Sequence, residues 1–236
     1  MGREALDECG SIVYFILRHS LKEKIMTPKQ MYFENVSKTI IKNLKKRQME
    51  GYYCSSSSEA RQKVLSLIPD GSSVSWGGSE TLKETGILGA LKERDVKIID
   101  RADAQSKEQR KELYANVVGC DFFLMSTNAI TVDGELVNID NTGNRVAFLC
   151  FGPEQVIVVA GMNKIVVDEE AGLKRVQNIA SPPNTVRLNR KTPCAATGVC
   201  GNCLTPETIC AQKVVTRFSP VPGRIKVILV GEELGF

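Results

Sequence analysis

Residues 72–100, "SSVSWGGSETLKETGILGALKERDVKIID", contain two short apolar segments on either side of a longer amphipathic one. The flanking segments SSVSW and VKIID have the length and β-branched content of buried strands. The segment between them, SETLKETGILGALKER, has the apolar spacing of a helix, and Ser79 is suited to cap it. The stretch therefore predicts a strand, a Gly-Gly-Ser turn, one helix and a second strand.

The same alternation continues in both directions along the chain. A first helix is predicted over MYFENVSKTIIKNLKKRQMEG, with Gly51 as its end. The other predicted strands are YYC, DFFLMS, QVIVVAG, NKIVVD and RIKVILVGEEL, and the other helices are SSEARQKVLSLI, SKEQRKELYANVV, a short one from NTGNRVAFLCF, and EEAGLKRVQNIA, ended by SPPN. Apolar strands alternating with amphipathic helices predict an α/β fold, a mostly parallel sheet with helices on both faces.

The segment AITVDGELVNID (129–140) interrupts this alternation. Its two alternating runs are joined by Asp133-Gly134, a pair typical of a type I′ turn. We therefore expect a β-hairpin inserted into the α/β fold.

Composition narrows the functional classes. The 236 residues are 42% hydrophobic and 25% charged, with a net charge of +4 and few aromatic residues, which argues against nucleic-acid binding. The apolar run SIVYFIL is too short to span a bilayer, and acidic residues precede it, so we expect no membrane span, no secretion signal and a cytoplasmic location. Residues 1–25 look unlike the rest and are treated as an N-terminal extension, whereas 26–236 are predicted to form one domain.

Four of the eight cysteines lie in one Gly-, Thr- and Pro-rich loop, residues 192–213. Cys194, Cys200, Cys203 and Cys210 have the spacing C-x5-C-x2-C-x6-C, which lets four thiolates come from one short segment. Cytosolic thiols stay reduced, so metal binding or redox work is favoured over structural disulfides. Cys54, Cys120 and Cys150 lie among apolar neighbours and are expected to be buried and inert.

The spacing of the four cysteines does not identify the metal. A [4Fe–4S] cluster is favoured because iron–sulfur sites often use compact cysteine runs, although this run matches no ferredoxin pattern. Zinc is the alternative, but structural zinc sites usually use two short knuckles. A thiol-rich surface loop with one redox C-x2-C pair also fits. Basic residues flanking the loop would offset the net charge of about −2 on a four-thiolate centre; they are Arg187, Arg190, Lys191, Lys213 and Arg217.

The Gly-Gly-Ser turn is a candidate anion site. Gly77 and Gly78 permit close backbone approach, and Ser79 could cap the helix or touch a phosphate or carboxylate. Glu80, at the helix start, either complements the helix dipole or serves as a carboxylate nucleophile or base.

Further polar residues follow the hairpin. Asn128, Asp140 and Asn144 are candidate ligand contacts, and Arg145 is placed after a glycine turn to pair with a carboxylate or phosphate. The only histidine is His19, so any acid or base must be Glu, Asp, Lys or Cys. Lys164 follows a buried strand, where open α/β sheets collect ligands, but a solvated lysine is the more ordinary interpretation.

Four segments in this order, SVSWGGSETLKETGI, STNAITVDGELVNIDNTGNRVA, VIVVAGMNKIV and RIKVILVGEELGF, resemble the LUD (lactate-utilisation domain) family over nearly all of residues 27–236. The resemblance implies a Rossmann-like fold similar to that of ribose-5-phosphate isomerase, glucosamine-6-phosphate deaminase and the CoA transferases, with a pocket at the Gly-Gly-Ser turn. By that analogy Glu80 is similar to the CoA-transferase nucleophile.

The resemblance also implies a role near the oxidation of L-lactate to pyruvate, which multi-subunit iron–sulfur systems of the family perform. Unlike the larger subunit type, this chain lacks a ferredoxin-like array of cysteine runs, so it cannot contain a complete electron-transfer chain. Its expected partners are a small organic acid or phosphorylated metabolite and other iron–sulfur subunits, and a homodimer is compatible with the sequence.

Three functions remain open. The first is a redox or electron-transfer subunit of organic-acid metabolism, an oxidoreductase component with an iron–sulfur centre. The second is a non-redox isomerase or transferase of sugar phosphates or CoA esters with a structural zinc. The third is a regulatory or assembly protein that binds a metabolite without converting it.

Overall fold

The computed structural model describes residues 26–236. The predicted extension 1–25 lies outside the described residues. The described part divides between Tyr32 and Phe33, within the first helix, and the unit Phe33–Phe236 contains both sheets and the candidate site.

The elements follow the predicted alternation of strands and helices. The strands are β1 (Glu50–Cys54), β2 (Ser73–Trp76), β3 (Lys97–Ile99), β4 (Phe122–Met125), β5 (Ala129–Thr131), β6 (Leu136–Asp140), β7 (Gln155–Gly161), β8 (Ile165–Val166), β9 (Gln212–Thr216) and β10 (Ile225–Val230). The α-helices are α1 (Pro28–Lys46), α2 (Ser57–Leu67), α3 (Glu80–Glu84), α4 (Ile87–Lys92), α5 (Lys107–Val118), α6 (Asn144–Cys150), α7 (Glu169–Arg175), α8 (Ser181–Arg187) and α9 (Pro193–Thr197). Single 3₁₀ turns occupy Arg101–Asp103 and Met162–Lys164, and a π turn occupies Val176–Ala180.

Six strands form one sheet in the order β1-β10-β7-β4-β2-β3, and every neighbouring pair is parallel. Parallel neighbours need crossover connections, which the helices between the strands provide. The expected α/β fold with a mostly parallel sheet is therefore confirmed.

The two faces of this sheet bury two separate apolar cores. Side chains alternate along each central strand, so that Phe123 and Met125 of β4 enter one core and Phe122 and Leu124 enter the other. The first core is covered by α1, α5 and α6, and the second by α2, α3 and α4. Both faces are thus buried, as expected for apolar strands of a parallel sheet.

A second, four-stranded sheet has the order β8-β5-β6-β9. β5 and β6 form the predicted hairpin, but its turn is not type I′. That turn needs positive φ at both central residues, whereas Gly134 has φ 87° and Asp133 is not among the non-glycine residues with positive φ. The Gly134 N–H donates to the Thr131 carbonyl at 2.8 Å, which makes the connection a longer loop with Gly134 in the left-handed position.

Two helix predictions need correction. The helix expected over residues 79–94 is divided into α3 and α4 at Gly86, which adopts φ 69°. The helix expected to end at SPPN instead continues through Pro182 to Arg187. Pro182 has no N–H for an ordinary helical bond, and the chain widens into the π turn before it, where the Ser181 N–H bonds to the Val176 carbonyl.

The cysteines outside the loop differ in burial. Cys54 and Cys120 are buried, as expected, and burial raises the pKa of the Cys120 thiol to about 11. Cys150 is exposed, because it is the last residue of the short helix α6 and lies on its outer side, so the expectation that it is buried is wrong.

No helix within residues 26–236 combines the length and the apolar character needed to cross a bilayer.

Candidate functional site

A cavity of about 300 Å³ lies at the carboxyl ends of the parallel strands. The segments that follow β2, β4 and β7 line it, as do the end of β6, the π turn and α8. This is the edge where open α/β sheets commonly bind ligands. Its lining residues are Gly78, Ser79, Glu80, Thr81, Arg101, Ser126, Thr127, Asn128, Ile139, Asp140, Asn141, Thr142, Asn144, Arg145, Lys164, Val176, Ala180, Ser181, Asn184, Arg187, Leu188, Arg190, Ile209, Gly235 and Phe236.

All pocket residues expected from the sequence line this cavity, except Gly77. The Gly77 N–H is used by the sheet, where it donates to the Leu124 carbonyl at 2.9 Å. Gly77 is nevertheless needed for close packing, because an added Cβ would lie 3.2 Å from both Cγ and Cδ of Arg145.

Ser79 acts as the cap of α3. Its hydroxyl accepts a hydrogen bond from the Leu82 N–H at 3.2 Å, which is the role of an N-cap residue. Glu80 forms ion pairs with Lys83 (3.0 Å) and Arg187 (3.3 Å). The Glu80 carboxylate therefore faces two cations in this structure.

Arg145 is bonded within the protein through all five of its N–H groups. Its Nε donates to Asp140 Oδ2 (3.0 Å), Nη1 to the Ser126 carbonyl (3.0 Å) and Asn138 Oδ1 (2.6 Å), and Nη2 to Asn128 Oδ1 (2.9 Å) and the Ile139 carbonyl (3.0 Å). A guanidinium has five donors, so none is left for a ligand. Arg145 joins the end of β4 to the end of β6.

The amides around Arg145 complete this network. Asn128 Oδ1 also accepts from the Ile139 N–H (3.1 Å), and Asn138 Oδ1 accepts from the Asn128 N–H (3.3 Å). Asp140 also accepts from the Gly143 N–H (3.0 Å), while Asn144 accepts from the Thr142 hydroxyl (2.7 Å). The oxygen atoms of the predicted ligand contacts Asn128 and Asp140 thus hold the cavity wall together.

Lys164 is buried at the cavity, with 4% of its surface exposed. Its Nζ donates to the hydroxyls of Thr81 (2.9 Å) and Ser126 (3.0 Å). Burial and, to a smaller extent, the charges of Arg175 and Arg145 lower the pKa of Lys164 to about 7, while Glu84 opposes them. The interpretation of Lys164 as an ordinary solvated lysine is therefore wrong.

Arg175 is a buried cation that was not among the residues expected at the site. It donates to the backbone carbonyls of Asn163 (3.0 Å) and Asn128 (2.7 Å) and to the main-chain oxygen of Phe236 (3.4 Å). Thr81 and Ser126 were also missed, although Ser126 follows a buried strand directly, which is the position that identified Lys164. These residues meet Lys164 only in the folded chain.

Three further arginines line the cavity, namely Arg101, Arg187 and Arg190. Arg101 is exposed, and no partner for its guanidinium is found among residues 26–236. Arg187 is shared between Glu80 and Asn184, and Arg190 lies 3.9 Å from Glu207. The two acidic side chains that line the cavity, Glu80 and Asp140, are already paired with cations, so the lining side chains have an excess of positive charge.

The four loop cysteines lie in the same region, next to this cavity. Burial raises the pKa of the Cys210 thiol, and the neighbouring Cys200, Cys194 and Cys203 raise it further, whereas the Ser181 hydroxyl lowers it. Cys194 is buried against the hydroxyls of Thr192 (3.3 Å) and Thr185 (3.6 Å). A cation bound beside Cys210 would stabilise its thiolate form.

These cysteines are not drawn in around one point. Among the described residues, no group of three or more His, Cys, Asp or Glu side chains has the arrangement of a metal site. Four thiols are suitable ligands for zinc or an iron–sulfur cluster, but the loop would have to close around the metal to bind it.

The cysteine loop and the cavity share a wall. Ser181 lines the cavity, and its Oγ lies 3.4 Å from Cys210 Sγ. Ile209, the residue before Cys210, also lines it.

A parallel sheet with a basic, lysine-containing cavity at its carboxyl edge defines this chain as an α/β protein with a candidate small-ligand site. The family model of the LUD domain matches residues 37–230. The chain therefore belongs to the LUD domain family, as its motifs predicted.

A solved structure has a similar fold. A DUF162 family protein from Deinococcus radiodurans is 14% identical, with a TM-score of 0.51 over 84% of this chain and 98% of that chain. Ribose 5-phosphate isomerase A from Neisseria gonorrhoeae (13% identity, TM-score 0.32) covers 48% of this chain and 56% of its own. The eIF2B delta of Chaetomium thermophilum (21%, TM-score 0.32) covers 48% and 49%. No curated protein matches the chain.

Proposed function

We propose that this protein is an enzyme of organic-acid metabolism that binds a small carboxylate- or phosphate-bearing metabolite in the cavity, with Lys164 as its acid–base group. The observation that supports this most directly is the positive lining of the cavity. Arg101 and Arg190 stand at a cavity whose two acidic side chains are already paired with Arg187 and Arg145.

The size of the cavity favours a small ligand. About 300 Å³ is at the lower limit of ordinary ligand pockets. A lactate-sized acid or a short sugar phosphate suits this volume better than a CoA ester. Arginine at the rim suits carboxylate and phosphate equally, because its planar donors match both groups.

Lys164 supports an enzymatic role. An amine with a pKa of about 7 exchanges protons readily at neutral pH, as a general acid or base must. Arg145 is proposed as a positioning residue, because it holds Ser126 and Asn128 in place and has no donor left for a ligand.

Calorimetric titration with L-lactate, pyruvate and ribose 5-phosphate tests the binding site. Arg101→Gln and Arg190→Gln should each weaken binding about tenfold, the loss of one charge-assisted hydrogen bond. Arg110→Gln is the matched control, since Arg110 is exposed on α5 away from the cavity. Equal affinities for all four proteins, or no binding of any of the three ligands, would contradict the proposal.

A second candidate function is favoured by the cysteine loop. We propose that Cys194, Cys200, Cys203 and Cys210 hold a [4Fe–4S] cluster and that the protein transfers electrons with other iron–sulfur subunits; zinc is the alternative metal. Two observations support this: the other three cysteines lie near Cys210, and the loop shares a wall with the cavity at Ser181. When bound, such a cluster would supply one-electron chemistry next to the cavity.

Anaerobic purification followed by iron, sulfide and zinc analysis tests this proposal. About four iron and four sulfide ions per chain are expected, with loss of both in a Cys200→Ser/Cys203→Ser variant. Cys150→Ser is the control, because Cys150 is exposed outside the loop. A colourless protein with one zinc per chain would replace the redox role with a structural one.

A further inference from the structure

We propose that the Lys164 amine forms a covalent imine with an aldehyde or ketone that also has a carboxylate or phosphate group. This inference rests on the proposed function, because the anionic group is what the arginines at the cavity would bind. It adds the class of substrate, a small anionic carbonyl compound, and the bond that the protein makes to it.

The hydrogen bonds of Lys164 favour nucleophilic attack. Thr81 Oγ1 and Ser126 Oγ each donate their own proton to a backbone carbonyl, of Leu234 (3.4 Å) and Thr127 (3.2 Å) respectively. Both hydroxyls therefore accept from Nζ. A neutral amine has two N–H groups, so both are occupied, and the lone pair is the one position on Nζ without a partner among the described residues.

The surroundings of Lys164 favour the neutral form of the amine. Arg175 and Arg145 are fixed by hydrogen bonds to backbone and side-chain oxygens, so neither can turn away from Nζ. Desolvation and nearby cations are the two means by which proteins activate lysine nucleophiles. An incoming anion would in turn compensate the charge of a protonated imine.

The reaction needs no electron transfer. Nζ attacks the carbonyl carbon, and the carbonyl oxygen gains a proton, which gives a carbinolamine. Loss of the hydroxyl group and the remaining nitrogen proton as water then gives the imine, so that amine and carbonyl become imine and water. Ser126 and Thr81 are placed to relay these protons, since both hydroxyls contact Nζ and line the cavity.

Borohydride trapping tests the imine. The full-length protein is incubated at pH 7.5 with pyruvate, glyoxylate or ribose 5-phosphate, reduced with borohydride, and analysed by intact mass and peptide mapping. Borohydride converts an imine to a stable secondary amine. A single adduct on Lys164 is expected from at least one probe, and the probe that reacts distinguishes a carboxylate from a phosphate ligand.

Two variants complete the test. Lys164→Met should lose the adduct, whereas Lys111→Met, which removes an exposed lysine on α5, should retain it. Adducts spread over surface lysines, or equal labelling of Lys164→Met, would overturn the inference. If carbonyl probes bind in calorimetry but none of them is trapped, the imine is overturned and the proposed function stays intact; failure of every probe to bind would count against the proposed function itself.

Discussion

Lys164 and Arg145 are buried cations that the protein treats differently. Arg145 has a carboxylate partner in Asp140 and an acceptor for each N–H, so its charge is compensated. Lys164 has only two neutral hydroxyls, and its nearest charged neighbours include two arginines. Repulsion among the cations at the cavity therefore acts mainly on Lys164, which can release a proton, and not on Arg145.

The depressed pKa of Lys164 predicts a particular dependence of stability on pH. The folded pKa is about 7 and the ordinary value is 10.5, so between these values the unfolded chain binds more protons than the folded one. The free energy of unfolding should rise with pH across this window, by up to about 1.4 kcal/mol per pH unit from this group. Urea unfolding of the protein and of Lys164→Met at pH 7, 8 and 9 measures the contribution as the difference between the two slopes.

Lys111→Met is the control for that experiment, because an exposed lysine should leave the slope unchanged. Identical slopes for the protein and Lys164→Met would mean that Lys164 titrates near its ordinary pKa.

Arg145→Lys should be costly although it conserves the charge. An ammonium group has three donors, so at least two of the five hydrogen bonds that Arg145 donates would be lost. A loss of at least about 2 kcal/mol in the free energy of unfolding is expected, since each hydrogen bond to a charged group contributes about 1.5–3 kcal/mol. Urea unfolding measures it, with Arg110→Lys expected to stay within about 0.5 kcal/mol. A similar result for both variants would contradict the positioning role.

The positions of candidate residues could be read from the sequence, but not their surroundings. Lys164 was selected because it follows a buried strand, and it does line the cavity. Its burial depends on Thr81, Ser126 and Arg175, which come from three other segments of the chain. Arg145 was expected to pair with a ligand. The sequence could not show that its five donors are used within the protein, because the five acceptors come together only in the fold.

Gly161, at the end of strand β7, is closely packed against the C-terminal segment. An added Cβ on Gly161 would lie 2.7 Å from the backbone N of Leu234 and 2.8 Å from the Glu232 carbonyl oxygen. Gly161→Ala should therefore lower the free energy of unfolding by about 1–3 kcal/mol, as overpacking does. Thermal or urea unfolding provides the measurement.

Gly89→Ala is the matched substitution. Gly89 lies within α4, and nothing stands within 4 Å of an added Cβ. This variant should be stabilised by about 0.5–1 kcal/mol, because alanine favours a helix over glycine. If Gly161→Ala were as well tolerated as Gly89→Ala, the close contact with residues 232–234 would be in doubt.

Elements were predictable where their pattern was local. The strands of the parallel sheet are continuous apolar runs, and those runs identify them without knowledge of their neighbours. The break at Gly86 was missed because the helical spacing of apolar residues continues from one side of this glycine to the other. Strand β9 was missed because it follows the cysteine loop directly and is half exposed, so its residues have no apolar run of their own.

For the whole molecule, the cysteine loop connects α8 to β9, and β9 pairs with β6. β6 ends at Asp140, which holds Arg145 in the cavity wall. A metal bound by the loop would therefore support the cavity through β9. We expect that removing the metal from anaerobically purified protein speeds amide hydrogen exchange in Gln212–Thr216 and weakens ligand binding, as measured by exchange mass spectrometry and calorimetry.

The Cys200→Ser/Cys203→Ser variant should behave like the metal-free protein, and Cys150→Ser like the native one. Exchange rates in β9 that do not respond to metal would show that the loop and the cavity are independent.

The order of the parallel sheet has a consequence for biosynthesis. β10 is inserted between β1 and β7, so the ion pair between Glu50 and Lys226 joins residues 176 positions apart. While the ribosome is still translating the segments before β10, β1 and β7 each present an open edge where β10 will later lie. The open strand edges of the nascent chain are most exposed to incorrect strand pairing in that interval. Chaperones should therefore bind the nascent chain mainly before β10 has been synthesised.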